Sequence, residues 1–539
     1  MIKFQRFTLA ATVFSLACGQ PYEPAFAANN VVFSLGPLGD FSVSVNSLET
    51  FAKTGTITPD LDFYTKHLTA EELAKFRGLL NQAFPLNSVE MFEFLNTSFG
   101  KEVVKELSTM INAPPDQSQP FLRGAMIEAA ENPDGFKIID VINNYGVSDL
   151  VLNIDTFRNT LNEADNLYQA TDRVFRWLDQ QKTNSPSPET TVDLSILDKP
   201  GKQTWASETL TISRPNDQES LTVFVYLPNT VTKPAPLVII SPGLNSDFQA
   251  FQYIAEHLAS YGFATAGIDF PESDAERMKD ALQGLDTFPN PNAWMNQPKD
   301  VTLVLDTLAK KANSDPQWQG KFDTNNAGIL GHSLGEYTAT ATAGATVQWP
   351  AVLKQCAALN EPDNINLNPA LLWQCQGVDN APPVSELEDE RIKAVIAINP
   401  VTNPAFGDSG INQVDVPMML IAGSADIFAP PLPEQIMPFS ALDQDDKYLL
   451  LVKNSTHLSF AEGTDQLPKA IVGDDQELAY NYIRAISLAF FNLYLNQQSQ
   501  FAPYLTDGAI AKMSRDPLPM HLIRSLTPEQ LNEALKTTN

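Results

Sequence analysis

Basic residues are scarce in this chain: 35 Lys and Arg stand against 64 Asp and Glu, for a net charge of −29. A surface of that sign repels polyanions, so nucleic acid is not an expected partner. Cysteine is scarcer, with three in 539 residues. That is too few for a disulfide scaffold, and Cys356 and Cys375 lack metal-ligand spacing and an accompanying His/Asp cluster, so no metal is expected. Histidine occurs at only five positions, which makes any histidine-dependent chemistry open to elimination. Beyond the N-terminus no apolar run would span a bilayer. The strongest, Ile486 to Leu495, follows Arg484 and contains Asn492, which suits a buried helix.

What is present begins with a leader-like segment. Lys3 and Arg6 precede the apolar stretch Phe7 to Ala17, and Ala25-Phe26-Ala27 offers small residues for cleavage. The expectation is a signal peptide at 1–27 and an exported protein, periplasmic or secreted. Lipoprotein anchoring at Cys18 is the rival, weakened by Ser15, which stands where such signals carry leucine. With Cys18 removed, Cys356 and Cys375 remain, and two nearby cysteines in an oxidising compartment are expected to form a disulfide.

The rest divides by texture. Residues 28–185 read as a mainly helical domain opened by a hairpin, Val31–Leu35 against Phe41–Val45. Thr69-x-x-Glu72 is a capping box, and Phe157 to Trp177 is a later helical segment. No catalytic arrangement stands out there, and its His67 reads as a surface or packing residue. A Ser/Pro/Thr linker, Thr183 to Pro188, follows. From 190 to 505 short apolar runs alternate with helical segments: Leu237–Ile240, Ala264–Ile268, Gly328–Leu330, Ala394–Ile398, Met418–Ile421 and Tyr448–Val452. This is the texture of an α/β fold with a mostly parallel sheet and helices on both faces, which carries its site at the carboxyl ends of the strands. An insertion at 346–391 holds both cysteines, and 506–539 reads as a polar C-terminal tail with a last helix starting at Thr527-Pro528-Glu529.

One strand end is distinctive. Gly328-Ile329-Leu330 runs into Gly331-His332-Ser333-Leu334-Gly335, a Gly-x-Ser-x-Gly turn that exposes a serine oxygen between strand and helix. A serine needs a base, and the base an orienting acid. His67 lies in the other domain, His257 inside a helix, and His332 should point away from its neighbour; His457, just after the last parallel strand, is the best-placed base, with His521 behind it. Asp426, leaving a strand through Gly423-Ser424-Ala425, is the expected acid, with Asp408 in reserve. The Leu334 and Leu244 backbone N–H groups are the expected oxyanion donors, Gly243 letting the second loop come close. Phe270 and Trp294, with Pro271, Glu272 and the insertion, are expected to line the substrate pocket.

These segments together resemble the α/β-hydrolase fold over about residues 205–497. Ser241-Pro242-Gly243-Leu244-Asn245 and Gly423-Ser424-Ala425-Asp426 are similar to loops of its dienelactone hydrolase and platelet-activating-factor acetylhydrolase-like branch. Val31 to Gly55 resembles an uncharacterised domain that precedes such hydrolases in exported proteins of photosynthetic bacteria. The resemblance implies a serine hydrolase and names no substrate. The site residues lead to the expectation of an exported carboxylic-ester hydrolase acting on a small-molecule or lipid ester without metal or organic cofactor, with peripheral attachment to the envelope compatible with it. Glu336 departs from the pattern, since a small residue is usual there. Gly331 to Tyr337 is also similar to the motif of malonyl-CoA:acyl-carrier-protein transacylases, but the glutamine of their Pro-Gly-Gln-Gly stretch and their substrate-binding arginine have no counterpart here. A third alternative is a hydrolase fold kept as a silent binding module.

Overall fold

Apolar patterning sorts this chain into two bodies. A computed structural model describes residues 28–536 except 35–38, 67, 85, 185–191, 216–218, 287–289, 360, 362–365, 379–386, 465–466 and 468. The leader with Cys18, His67 and the linker residues Ser185–Pro188 lie outside the described residues. Contacts group 28–91 with 107–154 as a smaller unit, and Phe92–Glu106 with Asp155 onward as a larger one.

In the smaller unit, strand Asn30–Ser34 pairs antiparallel with Asp40–Ser44 and parallel with Asp149–Leu152. Ser44 then caps helix Val45–Thr54 through the Ser47 N–H, and Gly55 ends it in the left-handed conformation. The expected capping box is formed: Thr69 and Glu72 satisfy each other's backbone donors at the start of Ala70–Asn81.

In the larger unit, helix α1 (Ile154–Asn184) leads to strands β1 (Trp205–Ser213), β2 (Ser220–Pro228) and β3 (Ala235–Ser241). The principal elements that follow are α2 (Gln252–Ser260), β4 (Ala264–Asp269), α3 (Ala275–Ala281), α4 (Ala293–Ser314), β5 (Phe322–His332) and α5 (Leu334–Thr342). Then come α6 (Trp349–Ala358), α7 (Pro369–Val378), β6 (Ile392–Ile398), β7 (Met418–Gly423), β8 (Lys447–Val452), α8 (Gln476–Tyr494), β9 (Met520–Ile523) and α9 (Pro528–Lys536).

The nine strands form one sheet in the order β9-β8-β7-β6-β5-β3-β4-β2-β1. Strands β3 to β8 run parallel to their neighbours among themselves, while β1, β2 and β9 join antiparallel. Burial on both faces explains the continuous apolar runs. Leu237 and Ile239 of β3 enter one core while Val238 and Ile240 enter the other, and β8 splits Leu449 and Leu451 from Leu450 and Val452 in the same way. The apolar stretch in α8 is buried in the second of these cores. No helix among the described residues is long and apolar enough to cross a membrane.

Two expectations shift. α1 was read as part of the N-terminal domain, with the boundary at 185; contacts place the division at 154/155. Val174, Trp177 and Leu178 recur at helical spacing on α1 and are buried in the core of the larger unit, so the apolar stripe, rather than the composition change, decides where the helix belongs. The segment 506–539, read as a tail, adds strand β9 to the sheet edge, and Leu531 and Ala534 of α9 are buried. A four-residue strand preceded by Pro517 and Pro519 is too short to show a period. The insertion is built of α6 and α7, and the expected Cys356–Cys375 disulfide joins them.

Candidate active site

β5 ends at the centre of the sheet, and Ser333 turns the chain into α5 with φ 54° and ψ −120°. A non-glycine residue in that region is strained, and such strain gathers where the surrounding structure holds a functional atom in place. Packing leaves the turn no slack. A Cβ on Gly335 would fall 1.9 Å from the Ser241 carbonyl oxygen, and one on Gly331 would fall 2.0 Å from the Gly335 oxygen. The glycines of the motif thus let α5 start directly against the end of β3.

His457 follows β8. Its Nδ1 lies 2.8 Å from Asp426 Oδ2, with Asp426 fully buried and His457 nearly so. Asp426 follows β7 and is amply solvated by the protein. Its Oδ1 accepts the Phe428 and Ala429 N–H groups at 2.9 and 2.8 Å, and its Oδ2 accepts Asn399 Nδ2 at 2.7 Å and Gln435 Nε2 at 3.2 Å. Burial works to raise this carboxyl, but the charge and hydrogen bond of His457, with the Ala429 and Asn399 donors, outweigh it and hold the group below the usual carboxylate range.

The expected residues therefore gather: Ser333, His457 and Leu244 line one cavity of about 1010 Å³, and Asp426 stands behind His457. Among the described contacts Ser333 Oγ has no hydrogen bond; in empty sites the nucleophile–base contact is often long and tightens when substrate arrives. The Leu334 N–H is the first of α5, where a helix supplies no carbonyl partner. The neighbouring loop comes close to it: a Cβ on Gly243 would stand 3.0 Å from Ser333 Cβ. In that loop the Asn245 N–H is committed to the Ser273 oxygen at 2.7 Å.

Other candidates fall away. Asp408 is exposed on the helical turn Gly407–Ile411, and His521 lies on β9 with its ring against Phe175. His257 is buried in α2, and burial lowers it to about 4. Two pocket residues were misassigned. Phe270 is buried in the core, and the adjacent Glu272 is locked by Arg214, which also binds Asp300 of α4. Trp294 is buried too, stacked on Trp373 with ring centroids 4.1 Å apart. Trp373, carried by α7 of the insertion, is the residue that lines the cavity. Aromatic identity near a strand end marks a packing site as readily as a pocket wall, which is why the pattern pointed to the wrong ring.

Four residues that support the site are not legible as such in the sequence. His332 Nε2 donates to the His457 carbonyl at 2.7 Å, with the two ring centroids 4.9 Å apart; burial, with the nearby His457 charge, lowers its pKa to about 3 and keeps it neutral. Asn399, at positive φ just after β6, holds Asp426. Glu336, the odd residue beside the elbow, is wholly buried: Thr340 Oγ1 donates to it at 2.6 Å and the Val401 N–H at 3.0 Å. Burial raises its carboxyl to about 7 despite those donors. Glu434 binds the Asn403 N–H at 2.9 Å and is raised by burial to about 8. Two buried carboxyls thus fasten the loop that follows Asn399. No group of His, Cys, Asp and Glu among the described residues has the arrangement of a metal site.

Residues 27–153 match the family model described as "Alpha/beta hydrolase of unknown function (DUF1400)". No curated protein matches the chain. The family match supports similarity to the α/β-hydrolase superfamily and a hydrolase in general. It covers the smaller unit and the segment Phe92–Glu106 of the larger one, whereas the nine-stranded sheet and Ser333 lie outside the matched residues.

Proposed function

We propose that this protein is a serine hydrolase that cleaves carboxylic esters through an acyl-enzyme. The observation that carries this reading is the buried 2.8 Å contact between His457 Nδ1 and Asp426 Oδ2, set behind the cavity that also holds the strained Ser333 turn. His457 Nε2 takes the proton as Ser333 Oγ bonds to the ester carbonyl carbon, and Asp426 steadies the resulting imidazolium. The Leu334 and Leu244 N–H groups receive the oxyanion. Collapse breaks the carbon–oxygen bond to the alcohol, which leaves with the proton from His457. Water then gives its proton to His457, adds to the acyl carbon and releases the acid, restoring Ser333 Oγ–H.

We further assign the larger unit to the dienelactone hydrolase and platelet-activating-factor acetylhydrolase-like branch, on the loops Ser241–Asn245 and Gly423–Asp426. Export to an oxidising compartment belongs to the same reading and is supported by the Cys356–Cys375 disulfide. A fluorophosphonate probe tests the core of it. The protein should label, Ser333→Ala should abolish labelling, and Ser333→Ala or His457→Ala should lower kcat on the order of a million-fold, as in well-studied triads. Labelling that persists in Ser333→Ala, or a loss of only a few-fold at His457, removes the proposal.

A further inference from the structure

The cavity above Ser333 is much larger than triad chemistry requires. At about 1010 Å³ it reaches the upper end of the range that encloses a whole drug-sized ligand. An acetyl group would leave nearly all of it filled with water. Its walls come from separated parts of the larger unit: Phe94 and Phe99 from the segment Phe92–Glu106, Met278 and Leu282 from α3 and its end, Trp373 from α7, and Phe428 after β7. Phe428 stands against the His457 ring at 5.6 Å between centroids, so the apolar lining begins beside the reacting atoms.

The charged part of the wall is mainly acidic. Asp247, Glu256 and Glu462 line it, and Glu462 is raised by burial as well as by its acidic neighbours Glu477 and Glu256. Among the described lining residues the one Lys or Arg is Arg484, and it is engaged: its Nη1 donates to Glu477 and Asn481 at 2.9 Å each, and its guanidinium lies over the Tyr253 ring. Among the described lining residues no Lys or Arg is left free to receive a carboxylate or phosphate, and the surrounding carboxylates repel one.

We propose that the substrate is an uncharged ester of a long-chain fatty acid, its acyl chain lying along the apolar wall between α3 and α7. This rests on the serine-hydrolase reading and sharpens it. Each buried methylene adds binding worth up to about fourfold in kcat/KM, so preference should climb with chain length until the cavity is full.

The test uses the full chain and the p-nitrophenyl esters of acetate, butyrate, octanoate, laurate and palmitate, with fluorophosphonate labelling run in parallel. kcat/KM is expected to rise at least tenfold from butyrate to laurate. Met278→Trp, which fills the α3 side of the cavity, should lower the laurate-to-butyrate ratio by tenfold or more, and Met278→Phe by less, with thermal melts checking that both variants fold. A laurate ester whose alcohol carries a carboxylate should turn over at least tenfold more slowly than its neutral counterpart. Normal labelling of Ser333 with acetate or butyrate turned over fastest would overturn the long-chain assignment and leave the hydrolase reading standing. Faster turnover of the anionic ester would overturn the uncharged part. Absence of labelling would instead strike the reading beneath both.

Discussion

The side chain of Asp426 makes more contacts than orienting a histidine requires. Four protein donors besides His457 hold it, three of them within 2.9 Å, so removing its charge leaves the cradle in place. Asp426→Asn should therefore fold normally while presenting an N–H or a neutral oxygen to His457 Nδ1, which upsets the tautomer the base needs. A loss of about ten-thousand-fold in kcat is expected on the proposed mechanism, by analogy with other triads. Ester turnover together with the circular dichroism melt checks it; a melt shifted far down would mean the carboxylate is mainly structural. The same scale shows what sequence could and could not reveal. Ser333, His457 and Asp426 were legible because each sits at a strand end whose apolar run announces it. Asn399 also follows such a run, but its role depends on a positive φ and a reach of 27 residues to Asp426, neither of which leaves a pattern. Glu336 was visible only as an anomaly; its partner Val401 is brought to it by β6, 65 residues away.

At the scale of elements, α7 links covalent structure to the cavity. It carries Cys375, bonded to Cys356 of α6 across a separation of 19 residues, and on the same helix Ala370 and Trp373 line the pocket. Closing a loop of that size restricts the unfolded chain by roughly 3 kcal/mol in the chain-entropy model. Cys375→Ser, like mild reduction of the native protein, should lower the unfolding free energy by about that amount in a urea titration. It should also raise KM for long esters more than it changes kcat, because Trp373 loses its anchor while the triad does not. An unchanged KM would mean that packing of Trp373 on Trp294 suffices to hold the wall. The parallel strands were readable in sequence for the reason that two-sided burial writes long apolar runs. β9 and the membership of α1 were not, since the first is too short for a period and the second depends on which core receives a stripe that any core could bury.

For the molecule as a whole, titration pulls stability in two directions. Glu336 and Glu434 sit above the ordinary glutamate value of 4.5, at about 7 and about 8. The folded state therefore keeps protons that the unfolded chain has already released. Their stabilising contribution is complete below 4.5 and is lost as pH rises through 7 and 8. Asp426 acts oppositely: held below its ordinary value, it stabilises above that value and ceases to as the solution turns strongly acidic. Buried neutral His257 and His332, lowered from 6.5 to about 4 and about 3, favour the folded state increasingly up to about pH 6.5. Above that the two glutamates act alone among these groups, so the melting temperature should fall between about pH 6.5 and pH 8.5, and the fall should be shallower in Glu336→Gln. Calorimetry across that window decides; a melting temperature that climbs with pH, or an equal slope in the variant, would show these carboxyls to be ionised and paired some other way.

The clearances at Gly331, Gly335 and Gly243 have a consequence for how such a protein can change. At Gly331 and Gly335 backbone meets backbone at distances where no side chain fits, and at Gly243 a Cβ would crowd His332 and Ser333 at 3.0 Å, so the elbow and the loop beside it are bound to change together. Met278 and Leu282 line the same cavity and carry no such backbone constraint. The site is thus divided into an invariant half and a pliable one. A mutational library confined to the pliable half should yield enzymes of altered taste, whereas one spread over the glycines should yield mostly dead ones.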